Sequence, residues 1–220
     1  MARLRLLTEQ AGAAMVELTI VAALLLTLVL GFVDFGYAFY QWNAATKAVQ
    51  VGVRLAVVSN PVATGLPGET VTSTASLIGE PLPADQFSYS CTADAAGVAT
   101  CARCDSAAVC AGAGVDQAAF DLIYYGDDAV SQGCGTVVVG DRPGICDFLS
   151  SLGPENVQIE YVATGLGYWT RPGGPVPTVR VSLQNVQFQF FFLSGLLGFA
   201  NITMPSMLST ITGEDLSTTF

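Results

Sequence analysis

Residues 12–33 read GAAMVELTIVAALLLTLVLGFV. Leu18 to Val33 is sixteen residues without a charge, and extension back to Ala13 gives twenty-one with Glu17 as the sole ionised interruption. As a helix that run is about 31 Å long, the thickness of a bilayer's hydrocarbon core, so it predicts a transmembrane helix. Arg3 and Arg5 precede it and the next cation is Lys47, a bias that puts the N-terminus in the cytoplasm and the rest of the chain outside. A secretory signal peptide also begins with a basic start and an apolar run, but it is cut after that run at small residues. Here the run leads into Gly31-Phe32-Val33-Asp34-Phe35-Gly36-Tyr37, with bulky aromatics where small side chains are needed. The segment is therefore expected to stay in the mature protein.

The helix is expected to continue beyond the lipid. Phe32, Phe35, Phe39, Trp42, Thr46, Val49, Val53 and Ala56 follow one another at spacings of three and four, and all but Thr46 are apolar, which makes one helical face. Asp34, Gln41, Asn43, Lys47, Gln50 and Arg54 fall on other faces. No proline precedes Pro61, so a single helix can run from residue 13 to 58, about 69 Å, with its membrane part at about 13–33. Its seam of Phe32, Phe35, Phe39, Trp42, Val49 and Val53 suits either a domain core or packing between subunits.

Composition narrows what the remainder can do. Of 220 residues only 12% are charged, against about 25% in a typical soluble domain. Hydrophobic residues make up 51% and the net charge is −10, a balance that excludes a disordered chain and leaves no basic surface for nucleic acid. The absence of histidine removes Ser-His-Asp and Cys-His catalysis and His-ligated metals. No catalytic residue, metal or cofactor is expected.

Asn60-Pro61 ends the helix, and glycines and prolines punctuate the chain to Pro83. Asp116 to Tyr125 reads as a short helix capped by Asp116, and a helical turn is expected over Pro143 to Leu152. Val157, Ile159, Tyr161 and Ala163 alternate with more polar neighbours as a half-buried strand. Val179, Val181 and Leu183 start a second one, which resumes out of phase at Val186, Phe188, Phe190 and Phe192, so a bulge is expected near Gln184 and Asn185. Ile202 to Thr212 can return as a third. The fold class is thus α+β: a long N-terminal transmembrane and amphipathic helix packed on a small C-terminal antiparallel sheet. A disulfide-braced, loop-rich insertion at about 84–150 completes an extracytoplasmic domain over 59–220.

Cys91, Cys101, Cys104, Cys110, Cys134 and Cys146 are the disulfide candidates, since the segment around them is too poor in bulky apolar residues to fold without staples and an extracytoplasmic compartment is commonly oxidising. Their pairing is left open. Cys101-Ala102-Arg103-Cys104 has redox or half-zinc spacing, but no second close pair accompanies it, and it lies in an Ala/Gly-rich stretch rather than at the start of a helix after a strand. Asp121, Asp127, Asp128 and Asp141 match no calcium-loop pattern and read as a solvated acidic face. Tyr168, Trp169 and Arg171, in a Gly/Pro-rich connection, combine the residue types of contact hot spots, although the same rings could pack on the sheet.

Glu17 asks for an explanation, because an ionised carboxylate inside an apolar helix costs several kcal/mol unless partnered. Gly12-Ala13-Ala14-Met15-Val16-Glu17 resembles the processing site of type IV filament prepilins. That resemblance implies a leader at 1–12, cleavage between Gly12 and Ala13 by a prepilin peptidase, and Glu17 as the carboxylate that meets a neighbouring subunit's new N-terminal amine during assembly. The longer pattern of Glu9-Gln10, Gly12 to Glu17, Gly31-x-x-Asp34-x-Gly36-x-x-x-Tyr40 and Gly52-x-Arg54 resembles the TadE-like minor pilin-like proteins of tight-adherence (Tad) pilus systems. Members often carry Phe after the glutamate and a Pro in the apolar run, where Leu18 and Ala22-Ala23 stand here; TadF-like and TadG-like proteins are related alternatives. The resemblance implies a non-enzymatic pseudopilin of the inner membrane, acting in pilus assembly, initiation or adhesion. Its implied partners are other pilin-like subunits, the peptidase, the Tad assembly platform and the lipid bilayer. The competing reading is a membrane-anchored adhesion domain that never enters a filament.

Overall fold

The computed structural model describes residues 10–104, 109–127, 133–135, 139–197, 202–214 and 216. Helix α1 runs from Gln10 to Val58. Ala, Leu and Val dominate it, and Thr19 and Thr27 satisfy their hydroxyls by donating to the carbonyls of Met15 and Ala23 one turn back. It stops where Ser59 takes over, its N–H and Oγ both donating to the Leu55 carbonyl, ahead of Asn60-Pro61. The chain divides into two compact units, Met1–Gln41 with Gln187–Ile202, and Trp42–Val186 with Thr203–Phe220.

The larger unit is built on one six-stranded antiparallel sheet: β1 (Ala84–Ala93), β2 (Ala99–Cys104), β3 (Cys110–Ala113), β4 (Val157–Thr164), β5 (Thr178–Leu183) and β6 (Met207–Thr212), in the order β3-β2-β1-β4-β5-β6. Alternation buries Val157, Ile159, Tyr161 and Ala163 of β4, Val179, Val181 and Leu183 of β5, and Phe87, Tyr89 and Cys91 of β1. The last turns of α1 supply Ala45, Ala48, Val49, Val53 and Ala56 to the same core. Gly52 is where the helix comes closest: a Cβ there would meet the Ile145 side chain at 2.5 Å and lie 3.5 Å from Val181. Tyr161 is fully buried and its hydroxyl accepts the Val62 N–H, and burial pushes its pKa up. Helix α2 (Gln117–Tyr125) is capped by Asp116, whose carboxylate accepts the Ala119 N–H at 3.2 Å, and it buries Ala119, Phe120, Ile123 and Tyr124.

Several expectations are corrected. The segment at 84–150 is disulfide-braced and rich in connections as expected, but it also contributes β1, β2, β3 and α2, so half of the sheet comes from it. Its Ala/Gly/Cys composition hides strands because cystines take the place of bulky cross-strand pairs. Cys91 stands opposite Cys101 and Cys104 opposite Cys110 in the strand register, and both pairs are bonded. The third disulfide, Cys134–Cys146, ties a turn to a buried cysteine. The expected bulge near Gln184 and Asn185 is an exit from the sheet, since β5 ends at Leu183 and Asn185 turns left-handed (φ 57°). Phe188 to Phe192 therefore belong to no strand, and β6 begins at Met207 rather than Ile202. Pro143 to Leu152 forms no helix but holds two single turns, in which the Phe148 N–H donates to the Ile145 carbonyl and the Leu152 N–H to the Leu149 carbonyl. Ile145 and Cys146 donate to the carbonyls of Ile123 and Tyr124, which pins the segment to the end of α2.

One ion pair bridges the loop after α1 to the sheet. Glu69 Oε1 accepts from Arg103 Nε and from the Tyr89 hydroxyl, both at 2.5 Å, and its Oε2 accepts from Arg103 Nη2 at 2.9 Å. Burial alone would raise the Glu69 pKa, but those hydrogen bonds and the guanidinium charge hold it below its ordinary 4.5. Burial and the carboxylate together push Tyr89 up to about 12. The stability this carboxylate contributes is therefore full above the unfolded-state pKa and lost as pH falls through the lower folded-state value. Because Arg103 is 37% exposed, solvent screening limits it to about 1 kcal/mol. Urea denaturation from pH 7 down to acid should show that loss for the native chain and not for Glu69→Gln; equal pH slopes would dismiss the pair as a contributor.

Candidate functional site

The N-terminal part of α1 presents the predicted processing and assembly residues on an open helix. Gly12, Ala13 and Glu17 are all exposed, and nothing lies within 4 Å of where a Gly12 Cβ would stand. No residue of the most apolar eighteen-residue window is buried, and α1 is long and apolar enough to cross a membrane. Leu24, Leu25, Leu26 and Leu28 lie bare to the surroundings. Residues 1–9, with the basic start of the expected leader, lie outside the described residues.

The expected packing seam divides into two. Val49 and Val53 are 2% and 1% exposed, inside the core of the larger unit, whereas Phe32, Phe35 and Phe39 are 71%, 66% and 70% exposed and Trp42 is also exposed. The polar residues Asp34 and Gln41 are instead the buried ones on this stretch, at 0% and 1%. Seven residues apart, they share a face two turns long. In the smaller unit that face receives the segment Gln187–Ile202, which contains the short helix α3 (Leu193–Leu197).

The docking is polar at its centre. Asp34 Oδ1 accepts the N–H of Phe191 at 3.0 Å, and Oδ2 accepts those of Phe192 and Leu193 at 2.9 and 2.6 Å. Gln41 imitates a strand neighbour: its Nε2 donates to the Gln189 carbonyl at 2.9 Å and its Oε1 accepts the Gln189 N–H at 3.0 Å. The Phe188 N–H reaches the Ile202 carbonyl at 2.8 Å, and the rings of Tyr37 and Phe191 stack obliquely with centroids 4.8 Å apart. Phe35, Phe190, Leu193 and Ile202 line an apolar cleft beside this contact. Sequence reasoning assigned Asp34 and Gln41 only to faces away from the seam. The signal available was their spacing, which sets two polar side chains in register just past an apolar span.

The cysteines and the remaining candidates sit in the larger unit. The C-x-x-C residues bond outward, Cys101 to Cys91 and Cys104 to Cys110, so they form no redox pair with each other, and no cysteine is free. Asp127 is paired with Arg142, Asp121 accepts from Gln117, and Asp128 lies outside the described residues. Among the described residues no group of acids or cysteines is assembled to hold a metal. Tyr168 is 42% exposed, while Trp169 and Arg171 are half-buried. Their loop is pinned by its backbone, with Trp169 bonded to Glu80 and Gly79 and Thr170 to Thr70.

No curated protein and no solved structure gives a significant match to the chain. Residues 12–54, the stretch that holds Gly12, Glu17, Asp34 and Gln41, match the family model of TadE-like proteins, so the similarity covers α1.

Proposed function

We propose that the protein is a non-enzymatic, single-pass, pilin-like component of a Tad-type pilus or secretion machine, working in assembly, initiation or adhesion. The observation that carries this reading is Glu17, a carboxylate five residues after Gly12 in the unburied apolar part of a helix that matches the TadE-like family model. A plain membrane anchor gains nothing from a charge in that position, and lipid penalises it. In the proposed cycle a prepilin peptidase cuts between Gly12 and Ala13 on the cytoplasmic side, where glycine offers the least hindered backbone. The new amine of Ala13 and the Glu17 of an adjacent helix then neutralise one another in a low-dielectric setting. The disulfide-braced unit faces outward and carries no chemistry of its own. Its partners are other pilin-like subunits, the peptidase and the assembly platform of the inner membrane.

N-terminal sequencing of the membrane-extracted protein tests this directly. The expected start is Ala13, and Gly12→Leu should leave the basic leader in place. A start at Met1, or anywhere downstream of Gly31, would refute the assignment.

A further inference from the structure

We infer that the segment Gln187–Leu193, latched to α1 by Asp34 and Gln41, is a membrane-interface element whose exposed aromatics enter the outer boundary of the bilayer. The inference rests on reading α1 as membrane-spanning and adds a second lipid contact from a distant part of the chain.

Depth is the first argument. The apolar run ends at Val33, so Asp34 stands at the edge of the hydrocarbon, and Gln41 lies about 10 Å farther along the helix axis. Headgroups occupy roughly 5–8 Å on each side of a bilayer, so the latch begins at the acyl boundary and ends just outside the headgroups. This is the zone in which aromatic side chains concentrate. Phe35 and Phe39 on α1, and Phe191 and Phe192 on the docked segment, are all exposed there.

Charge is the second. Between Arg180 and Glu214 the sequence contains no Asp, Glu, Lys, Arg or His, although the chain as a whole carries a net charge of −10. The whole connection between β5 and β6, residues 184–206, lies in this stretch, and a water-facing connection of that length has no reason to avoid charge. The third argument is backbone satisfaction. Non-helical backbone tolerates a low-dielectric boundary only where its N–H and C=O groups are paired. Asp34 takes three successive N–H groups, Gln41 takes both polar groups of Gln189, and Ile202 takes the Phe188 N–H. Two buried polar side chains are thereby used to hide the amides of a segment that leaves its rings outside. On α1 itself the exposed Phe32, Phe35 and Phe39 directly follow the bare apolar residues of the span, which favours lipid over a protein partner as the occupant.

All six cysteines are bonded, so an introduced thiol is a unique labelling site. Full-length Phe192→Cys and, separately, Leu25→Cys would be spin-labelled in phosphatidylcholine vesicles and their collisions with oxygen and with a water-soluble nickel chelate compared. Phe191→Cys is a second reporter in case Phe192→Cys misfolds. The expected result is that oxygen outcompetes the nickel chelate at 192, as it does more strongly at 25. A lipid-like signal at 25 with a water-like signal at 192 overturns the interfacial element and leaves the span intact. Protection at 192 from both reagents means that a neighbouring protein copy covers the patch, which also overturns it. A water-like signal at 25 removes the membrane span itself.

Discussion

Glu17→Ala is expected to yield a processed, membrane-inserted, folded protein that fails to join its partners. The side chain is exposed on α1, so its removal deletes no internal packing. What it deletes is the only ionised group between Ala13 and Val33. A carboxylate held there without a partner costs several kcal/mol, and an amine from a second subunit is what would offset that cost. Glu17→Gln keeps the shape and removes the charge, and should fail in the same way, with co-purification of pilin-like partners reduced at least about tenfold, or roughly 1.4 kcal/mol. Leu18→Ala, one position on, should assemble normally. If Glu17→Gln assembles as well as the native chain, the carboxylate has no role between subunits.

Asp34→Ala should release the aromatic segment from α1. Three adjacent N–H groups lose their acceptor at once, and a buried donor left unsatisfied costs about 1–3 kcal/mol. Even the lower bound gives about 3 kcal/mol, which corresponds to more than a hundredfold rise in the opening equilibrium. Amide hydrogen exchange at Phe191, Phe192 and Leu193 should speed up by that factor while the amides of β4 and β5 keep their protection. Asp34→Asn retains one carbonyl oxygen as acceptor and turns an NH2 toward another donor, so its effect should be intermediate. Unchanged exchange in Asp34→Ala would mean that the rings alone hold the segment.

The helix was legible because its signal is redundant: an unbroken apolar run, no proline before Pro61, and a stop at Asn60-Pro61. Strands β4 and β5 announced themselves through strict alternation of large residues at Val157 to Ala163 and Val179 to Leu183. Strands β1, β2 and β3 did not. Their inward positions include Cys91, Ala99 and Cys101, and a cystine counts as packing only once its partner is known. The aromatic run Phe188 to Phe192 misled for the opposite reason: its period of two is that of a strand, yet Asn185 turns the chain out of the sheet before it. Asp34 and Gln41 were visible as residues but not in their role. Their partners are backbone amides some 150 positions away, which no local pattern reveals.

The three disulfides join the first cysteine to the second, the third to the fourth and the fifth to the sixth, with separations of 10, 6 and 12 residues. Loops this short give less stabilisation than the roughly 3 kcal/mol of a fifteen-residue ring. They have a kinetic merit instead. In the orientation proposed above, a chain threaded outward from its N-terminal end meets an oxidant with each cysteine's correct mate the next to emerge. The indiscriminate pairing of cysteines in order of arrival then produces the native set with no reshuffling, and a pause in export after any even-numbered cysteine leaves no odd thiol exposed.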